Sequence, residues 1–222
     1  MQAVVFDLDG TLVDSEGAHA RALDEIVRRR GYRSREGGYV GLTDRQALGL
    51  VFEDHGVRAD PDEFRSIIDE KTALLAEILN AEGFRVYPGA VELVREIAQH
   101  VPVAVCTASS PLEANLAVDA MGLSQIVSTV ITCRDVSKNK PHPEGYALAV
   151  ARLGAEPARS IAVEDSANGL KAARAAGLHT VGLLHTCPRE HLDLAHEIVG
   201  TIGELSVGRL RGMFGFTETA RG

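Results

Sequence analysis

The sequence predicts an α/β protein: a parallel sheet covered by helices, with an all-helical insert placed after the first strand. Three observations predict it. Short apolar runs bounded by turn or polar residues recur along the chain, as buried parallel strands do. Between them lie helical patterns with readable ends, and such alternation builds a parallel sheet with helices on both faces. One stretch, from Glu16 to Arg85, carries helical stripes and no convincing strand.

The elements follow in order. Val4-Val5-Phe6 is the first apolar run. The segment before it lacks a positively charged leader, so the N-terminus reads as a strand and not as a signal peptide. In the insert, Ala18, Ala22, Leu23, Ile26 and Val27 form one helical stripe closed by Gly31. Thr43-Asp44-Arg45-Gln46 has the form of a capping box before Ala47, Leu48, Leu50 and Val51. Asp60-Pro61-Asp62-Glu63 starts a third helix, with Phe64, Ile67, Ile68, Leu74, Leu75, Ile78 and Leu79 as its apolar positions. Val86-Tyr87-Pro88-Gly89 is the expected return hinge.

Four further runs read as strands: Val103 to Cys106, Val127 to Ile131, Ile161 to Val163, and Thr180 to Leu183. Ser110-Pro111-Leu112-Glu113 combines an N-cap, a proline at the first helical position and a capping-box glutamate, and Gly122 ends that helix. Glu144 to Leu153 is amphipathic and stops at Gly154, and Thr201-Ile202-Gly203-Glu204 has the form of a last helix start. The tail from Gly212 to Gly222 carries Met213, Phe214 and Phe216 among small polar residues, and its placement stays open.

Composition narrows the function classes. The chain has 222 residues, 45% of them hydrophobic, which suffices for a core domain plus a small insert. Its net charge of −8 argues against a general nucleic-acid or anionic-membrane surface. An anionic substrate remains compatible, because a metal and a few local cations can reverse the field in one cleft. The three cysteines, Cys106, Cys133 and Cys187, show no metal-ligand spacing and suit buried thiols in a reducing cytoplasm. No apolar run approaches the roughly 20 residues that a bilayer span needs. The chain is expected to be a cytoplasmic monomer acting on a small molecule.

The chemistry-bearing residues fall at the predicted strand ends, where open α/β sheets bind ligands. Asp7-Leu8-Asp9-Gly10-Thr11 follows the first strand. Two carboxylates two residues apart at such an end repel each other and are partly desolvated. A metal and a division of labour would explain them: one can attack phosphorus, and the other can hold a proton for the leaving oxygen. The plain alternative is an Asp-Gly turn. Glu164-Asp165 follows another strand, and adjacent acids there suit Mg²⁺. The alternative is helix capping by Asp165 or Ser166. Thr107 and the backbone N–H of Ala108 could hold a phosphoryl oxygen at a helix start. Lys140, in Asn139-Lys140-Pro141-His142-Pro143, sits on a stiff loop that would aim its ammonium at developing charge.

In their order and spacing these pieces resemble the haloacid dehalogenase superfamily, over about Val4 to Ile202. Asp7 to Ser15 is similar to its first motif; Thr107, Lys140 and Glu164-Asp165 fall where the second, third and fourth belong. The insert is similar to the helical cap of the branch that includes β-phosphoglucomutase and phosphoglycolate phosphatase. The resemblance implies a Rossmann-like core at residues 1–15 and 86–222 and a cap at 16–85. It implies Asp7 as nucleophile and Mg²⁺ ligand, and Asp9 as general acid/base with its carbonyl on the metal. Thr107 and Lys140 would bind the phosphoryl group, and Glu164 with Asp165 would complete the metal site. The second Asp implies phosphoryl transfer, since the dehalogenase branch lacks its equivalent.

Substrate contacts are expected from His19, Arg45 and Lys71 in the cap and from Ala108, Ser109 and Asn115 in the core. The mutase-like pattern has an Arg one position before Arg45, where this chain has Asp44. His142, His179, His185, His191 and His196 show no ligand spacing and read as structural or exposed. Three functions remain open: a phosphatase of a small phosphorylated metabolite, a sugar phosphomutase, and a non-catalytic module on the same fold.

Overall fold

The computed structural model describes residues 1–35, 44–58 and 60–218. The chain divides into two compact units, Met1–Asp14 with Arg85–Gly222, and Ser15–Phe84. β1 (Ala3–Phe6) opens the first and is wholly buried, as its unbroken apolar run requires.

The second unit is all-helical, with α1 (Glu16–Arg29), α2 (Asp44–Asp54) and α3 (Pro61–Glu82). Asp60 caps α3 by accepting from the amides of Asp62 and Glu63, and Pro61 follows at the first helical position. The expected cap of α2 at Thr43 lies outside the described residues. The predicted stripes meet as one cluster of Leu23, Ile26, Val27, Ala47, Leu48, Val51, Phe52 and Ile67. Each large aliphatic side chain buried there contributes roughly 1.5–3 kcal/mol. Phe52 makes edge-to-face contacts with Tyr32 and Phe64 at centroid distances of 5.6 and 5.1 Å.

The first unit resumes with α4 (Ala90–Ala98), β2 (Val103–Cys106), α5 (Pro111–Ala120), β3 (Thr129–Ile131), α6 (Glu144–Arg152) and β4 (Ser160–Glu164). It ends with α7 (Ala167–Ala175), β5 (His179–Leu183), β6 (Glu197–Val199) and α8 (Val207–Glu218). The outgoing and returning chain pair beside Val13: Asp14 donates to the Arg85 carbonyl at 2.7 Å and Tyr87 to that of Leu12 at 3.0 Å. All six strands are parallel, in the order β3-β2-β1-β4-β5-β6. The order reverses at β1, which pairs with β2 on one side and β4 on the other. That switch leaves a crevice at the carboxyl ends of the central strands.

Local differences from the sequence reading have physical causes. The run from Val127 to Ile131 is a strand only over Thr129–Ile131, because the Val127 amide still donates to the Leu123 carbonyl in the turn leaving α5, and pairing with β2 begins with the Ser128 amide on the Val103 carbonyl. Thr201 and Glu204 do form a reciprocal capping box, but it closes a single 3₁₀ turn, Ile202–Glu204, and the last helix starts at Val207. β6 adds an edge strand that three residues of mixed polarity did not signal.

Candidate active site

Five loops leave the carboxyl ends of β1, β2, β3, β4 and β5 and meet over the crevice. Phe6 pairs with Val105 and with Val163, so Asp7, Thr107 and Glu164 emerge at nearly one level. The Asp7 amide donates to the Val163 carbonyl at 2.9 Å, which seats Asp7 at the strand end. The chain then wraps on the Leu8 carbonyl, which accepts from the amides of Leu12 and Val13 at 2.8 and 3.1 Å. Gly10 makes this turn with φ +84°, and a Cβ there would stand 2.2 Å from Asp165 Oδ2. Only glycine meets both conditions.

Asp7, Glu164 and Asp165 are buried, and each offers one carboxylate oxygen within 4.8 Å of the others. Lys140 donates to Asp7 and, at 2.5 Å, to Glu164 Oε1. Glu164 Oε1 also accepts from the Tyr146 hydroxyl at 2.8 Å. Glu164 Oε2 accepts from the Ser166 hydroxyl at 2.9 Å and from the amides of Asp165 and Ser166 at 3.2 Å. A Cβ on Gly169 would fall 1.7 Å from Glu164 Oε1, so α7 can approach the carboxylate only with glycine there. Ser166 accepts from the Gly169 amide at 3.0 Å and so caps α7, leaving Asp165 turned to the cluster. Asp165 accepts from Thr11 at 2.9 Å and from the Thr186 hydroxyl.

Asp9 is partly buried. It accepts from Ser109 Oγ at 2.6 Å and from Thr107 Oγ1 at 3.2 Å, and Thr107 Oγ1 accepts in turn from the Ser109 amide at 2.9 Å. Ala108 is exposed between these two residues, and Asn115 is exposed on α5. Within the helical unit, Lys71 Nζ lies 2.7 Å from His19 Nδ1 and 3.0 Å from Asp44 Oδ2. The ammonium can only donate, so His19 accepts at Nδ1 and carries its proton on Nε2. Arg45 is exposed and turns its guanidinium over the Phe64 ring, 5.5 Å from the centroid. The core residues expected at the site therefore converge, apart from Asn115. His19 and Lys71 form a second cluster with Asp44, while the contact of Arg45 is with Phe64.

Several contributors escaped the sequence reading. Tyr146 reads as one more apolar position on an amphipathic helix. Thr186 and Cys187 carry no motif, yet the Cys187 thiol meets the Asp165 carbonyl at 3.0 Å. His185 read as structural, and its structural task is specific: its Nε2 accepts from the Ile202 amide at 3.2 Å, so Nδ1–H donates to the Gly10 carbonyl at 2.9 Å. Tyr87 stacks on its ring with centroids 3.8 Å apart.

The electrostatics show a cluster short of positive charge. Burial, and then Glu164, push the Asp7 carboxyl well above the usual range despite Lys140. The same two causes push Asp165 up to about 7, against the hydroxyls of Thr186 and Thr11. Burial acts to lower the Lys140 pKa, but Asp7 and Glu164 override it and hold the ammonium well above the ordinary lysine value. Three carboxylates against one ammonium leave a net −2 when all are ionised. Buried carboxylate oxygens with a surplus of negative charge suit a hard divalent cation. Cys106, by contrast, is inert: burial pushes its thiol up to about 12.

Comparisons with known proteins fit this site. Residues 1–177 match the family model of the haloacid dehalogenase-like hydrolases. The chain is 32% identical over 205 residues to the validoxylamine A 7'-phosphate phosphatase of Streptomyces hygroscopicus subsp. limoneus, covering 92% of this chain and 95% of that one. It is 26% identical over 192 residues to a phosphorylated carbohydrates phosphatase of Thermotoga maritima, covering 84% and 87%. A crystal structure of β-phosphoglucomutase from Clostridium difficile superposes with a TM-score of 0.84 over 99% of both chains; at 19% identity this is a likeness of fold. With two phosphatases among its relatives and the family model matched over most of its length, this chain belongs to the haloacid dehalogenase-like hydrolases, as a phosphoric monoester hydrolase of that family.

Proposed function

We propose that the protein is a Mg²⁺-dependent phosphatase of a small phosphorylated metabolite, a sugar phosphate by class, working through an aspartyl phosphate at Asp7. The observation that carries this reading is the buried Asp7 at the β1 end, ion-paired with Lys140 inside a cluster of three carboxylates. Asp7 attacks phosphorus and the bond to the substrate oxygen breaks. Asp9, held by Ser109 and Thr107, gives its proton to that leaving oxygen. In the second half Asp9 takes a proton from water, the resulting hydroxide attacks phosphorus, and phosphate leaves with Asp7 restored. Lys140 offsets charge on Asp7 and on the transferring group. Asp7, Glu164 and Asp165, with the Asp9 carbonyl, would hold Mg²⁺, which when bound stabilises the phosphoryl oxygens. Unpaired thiols at Cys106, Cys133 and Cys187 support a reducing, cytoplasmic setting.

Phosphatase is favoured over mutase by the cap. A mutase must hold a sugar bisphosphate in either orientation and needs a cation for the distal phosphate. At the mutase-like Arg position this chain has Asp44, and Asp44 pairs with the Lys71 ammonium. The test is a panel of phosphorylated metabolites, together with β-glucose 1-phosphate plus a trace of glucose 1,6-bisphosphate. Free phosphate without sugar isomerisation is the expected result. Rapid, bisphosphate-dependent formation of glucose 6-phosphate would establish the mutase instead.

Metal dependence has a signature in stability as well as activity. Asp7 and Asp165 have folded pKa values above their unfolded ones, so from about pH 4 to 7 the folded state binds more protons. Stability of the metal-free protein should therefore fall as pH rises through that window. The raised Lys140 pKa has the same sign of pH dependence, but its stabilising contribution is lost only above the ordinary lysine range, outside this window. In EDTA, Tm is expected to drop by several degrees, on the order of 5 °C, between pH 5.5 and 8. Saturating Mg²⁺ should raise Tm more at pH 8 than at pH 5.5, and hydrolysis should stop with chelator. Full activity in excess EDTA, or a Mg²⁺ effect on Tm that shrinks as pH rises, would count against the site.

A further inference from the structure

Tyr146 stands beneath the Lys140–Glu164 ion pair. Its side chain is fully buried on α6, in the cluster that includes Cys106, Ala162 and Ala172. A phenylalanine would fill that volume without needing a polar partner. The hydroxyl instead costs desolvation free energy unless it is bonded, and it donates to Glu164 Oε1 at 2.8 Å. The same oxygen accepts from Lys140 at 2.5 Å. The Lys140 ammonium also lies 5.1 Å from the centroid of the Tyr146 ring, within cation–π range. One side chain thus touches both members of the pair.

We propose that Tyr146 is a positioning residue for phosphoryl transfer: it sets where Lys140 rests between Asp7 and Glu164. The proposal rests on the reading of Lys140 as the cation that serves Asp7 and the phosphoryl group. A lysine shared by two carboxylates has two competing resting places, and its four-carbon stem does little to choose between them. Glu164 cannot swing to follow it, because Ser166 and two backbone amides hold Oε2. The balance is decided at Oε1. The Tyr146 hydroxyl competes for that oxygen and weakens its hold on the ammonium, while the ring face supports the ammonium from below. Without the hydroxyl, Glu164 draws Lys140 towards itself and away from Asp7. Without the ring as well, the stem loses its support.

The experiment compares Tyr146→Phe and Tyr146→Leu with wild type, using p-nitrophenyl phosphate and saturating Mg²⁺. Tyr146→Phe should lower kcat about 10-fold and Tyr146→Leu about 100-fold, the scale of a misplacement near 1 Å. KM should stay within about 3-fold, because the loss lies in the transition state. Partial retention by phenylalanine is a result that filling the core alone does not explain. A crystal structure of metal-free Tyr146→Phe should show Lys140 Nζ moved beyond hydrogen-bonding distance of Asp7. Should Tyr146→Leu fail to fold, Tyr146→Phe decides alone. A Tyr146→Phe kcat within about 2-fold of wild type, or a Lys140 that has not moved, overturns the proposal. A Lys140→Met enzyme with wild-type kcat would instead overturn the underlying role of Lys140, so the two failures are distinguishable.

Discussion

Asp7→Asn is expected to abolish turnover, by roughly 10,000-fold or more, while leaving the metal-free fold at least as stable as wild type at pH 8. The activity loss follows from chemistry: an amide oxygen does not displace an alkoxide from phosphorus at a useful rate. The stability result follows from charge. Burial and Glu164 hold the Asp7 carboxyl well above the usual range, so its ionised form opposes folding at pH 8. Substitution by asparagine removes that charge and lowers the cluster from net −2 to net −1, with Lys140 still bonded to Glu164. Calorimetry in EDTA should give a Tm equal to or a few degrees above that of wild type, on the order of 1 kcal/mol. In the same preparation, Mg²⁺ with BeF₃⁻ should form an adduct on wild type and none on the variant, read by ¹⁹F NMR. A variant that keeps near wild-type kcat rejects Asp7 as the nucleophile.

Lys140→Met is expected to reverse the stability effect while sharing the activity effect. The ammonium bonds to Asp7 and Glu164, whose side chains are 9% and 0% exposed. Its removal leaves three buried carboxylates with no counter-charge, a net −3 when all are ionised. Breaking a buried pair in this way costs about 3–5 kcal/mol, which is on the order of 10 °C in Tm for a chain of this size. The loss should be largest in EDTA at high pH and smaller at pH 5.5, where protons take the place of the missing cation. Mg²⁺ should restore much of the stability without restoring activity, because the phosphoryl group still lacks its fixed cation. A fall in kcat of about 1000-fold is the scale for one electrostatic donor. If Lys140→Met were as stable as wild type in EDTA at pH 8, the ion pairs would not be what balances the cluster.

The opposite signs expected for these two substitutions follow from a site that sets function against stability. The sheet order places three carboxylates at the ends of β1 and β4. Burial that raises the cost of their charge also makes a cation among them more favourable than in water.

Much of this was legible in the chain. Uninterrupted apolar runs such as Val103 to Cys106 specify strands buried on both faces, because only a doubly covered parallel sheet hides both sides. The α5 capping box and the Asp60-Pro61 start of α3 are local chemistry and need no tertiary context. Asp7, Asp9, Glu164 and Asp165 were visible because paired acids at strand ends are costly and therefore conspicuous, and Lys140 through its proline-flanked loop and the place that the family resemblance gives it. What the sequence could not carry is set by contacts between residues far apart in the chain. Three residues of β6 become a strand only because β5 offers them an open edge. Thr201 and Glu204 cap a single turn and not a helix, and the next helix begins only at Val207. Tyr146 is an ordinary helix position until the loop after β3 brings Lys140 over its ring and β4 brings Glu164 to its hydroxyl. Thr186 and His185 matter only because the β5 loop lies against Asp165 and Gly10. The sequence by itself determined the buried central strands, the caps of α3 and α5 and the charged groups, since periodicity and local hydrogen bonding act over a few residues. Only the tertiary structure decided which neutral side chains hold those charges in place, since a hydroxyl or an imidazole gains a partner across the fold and leaves no local trace of it.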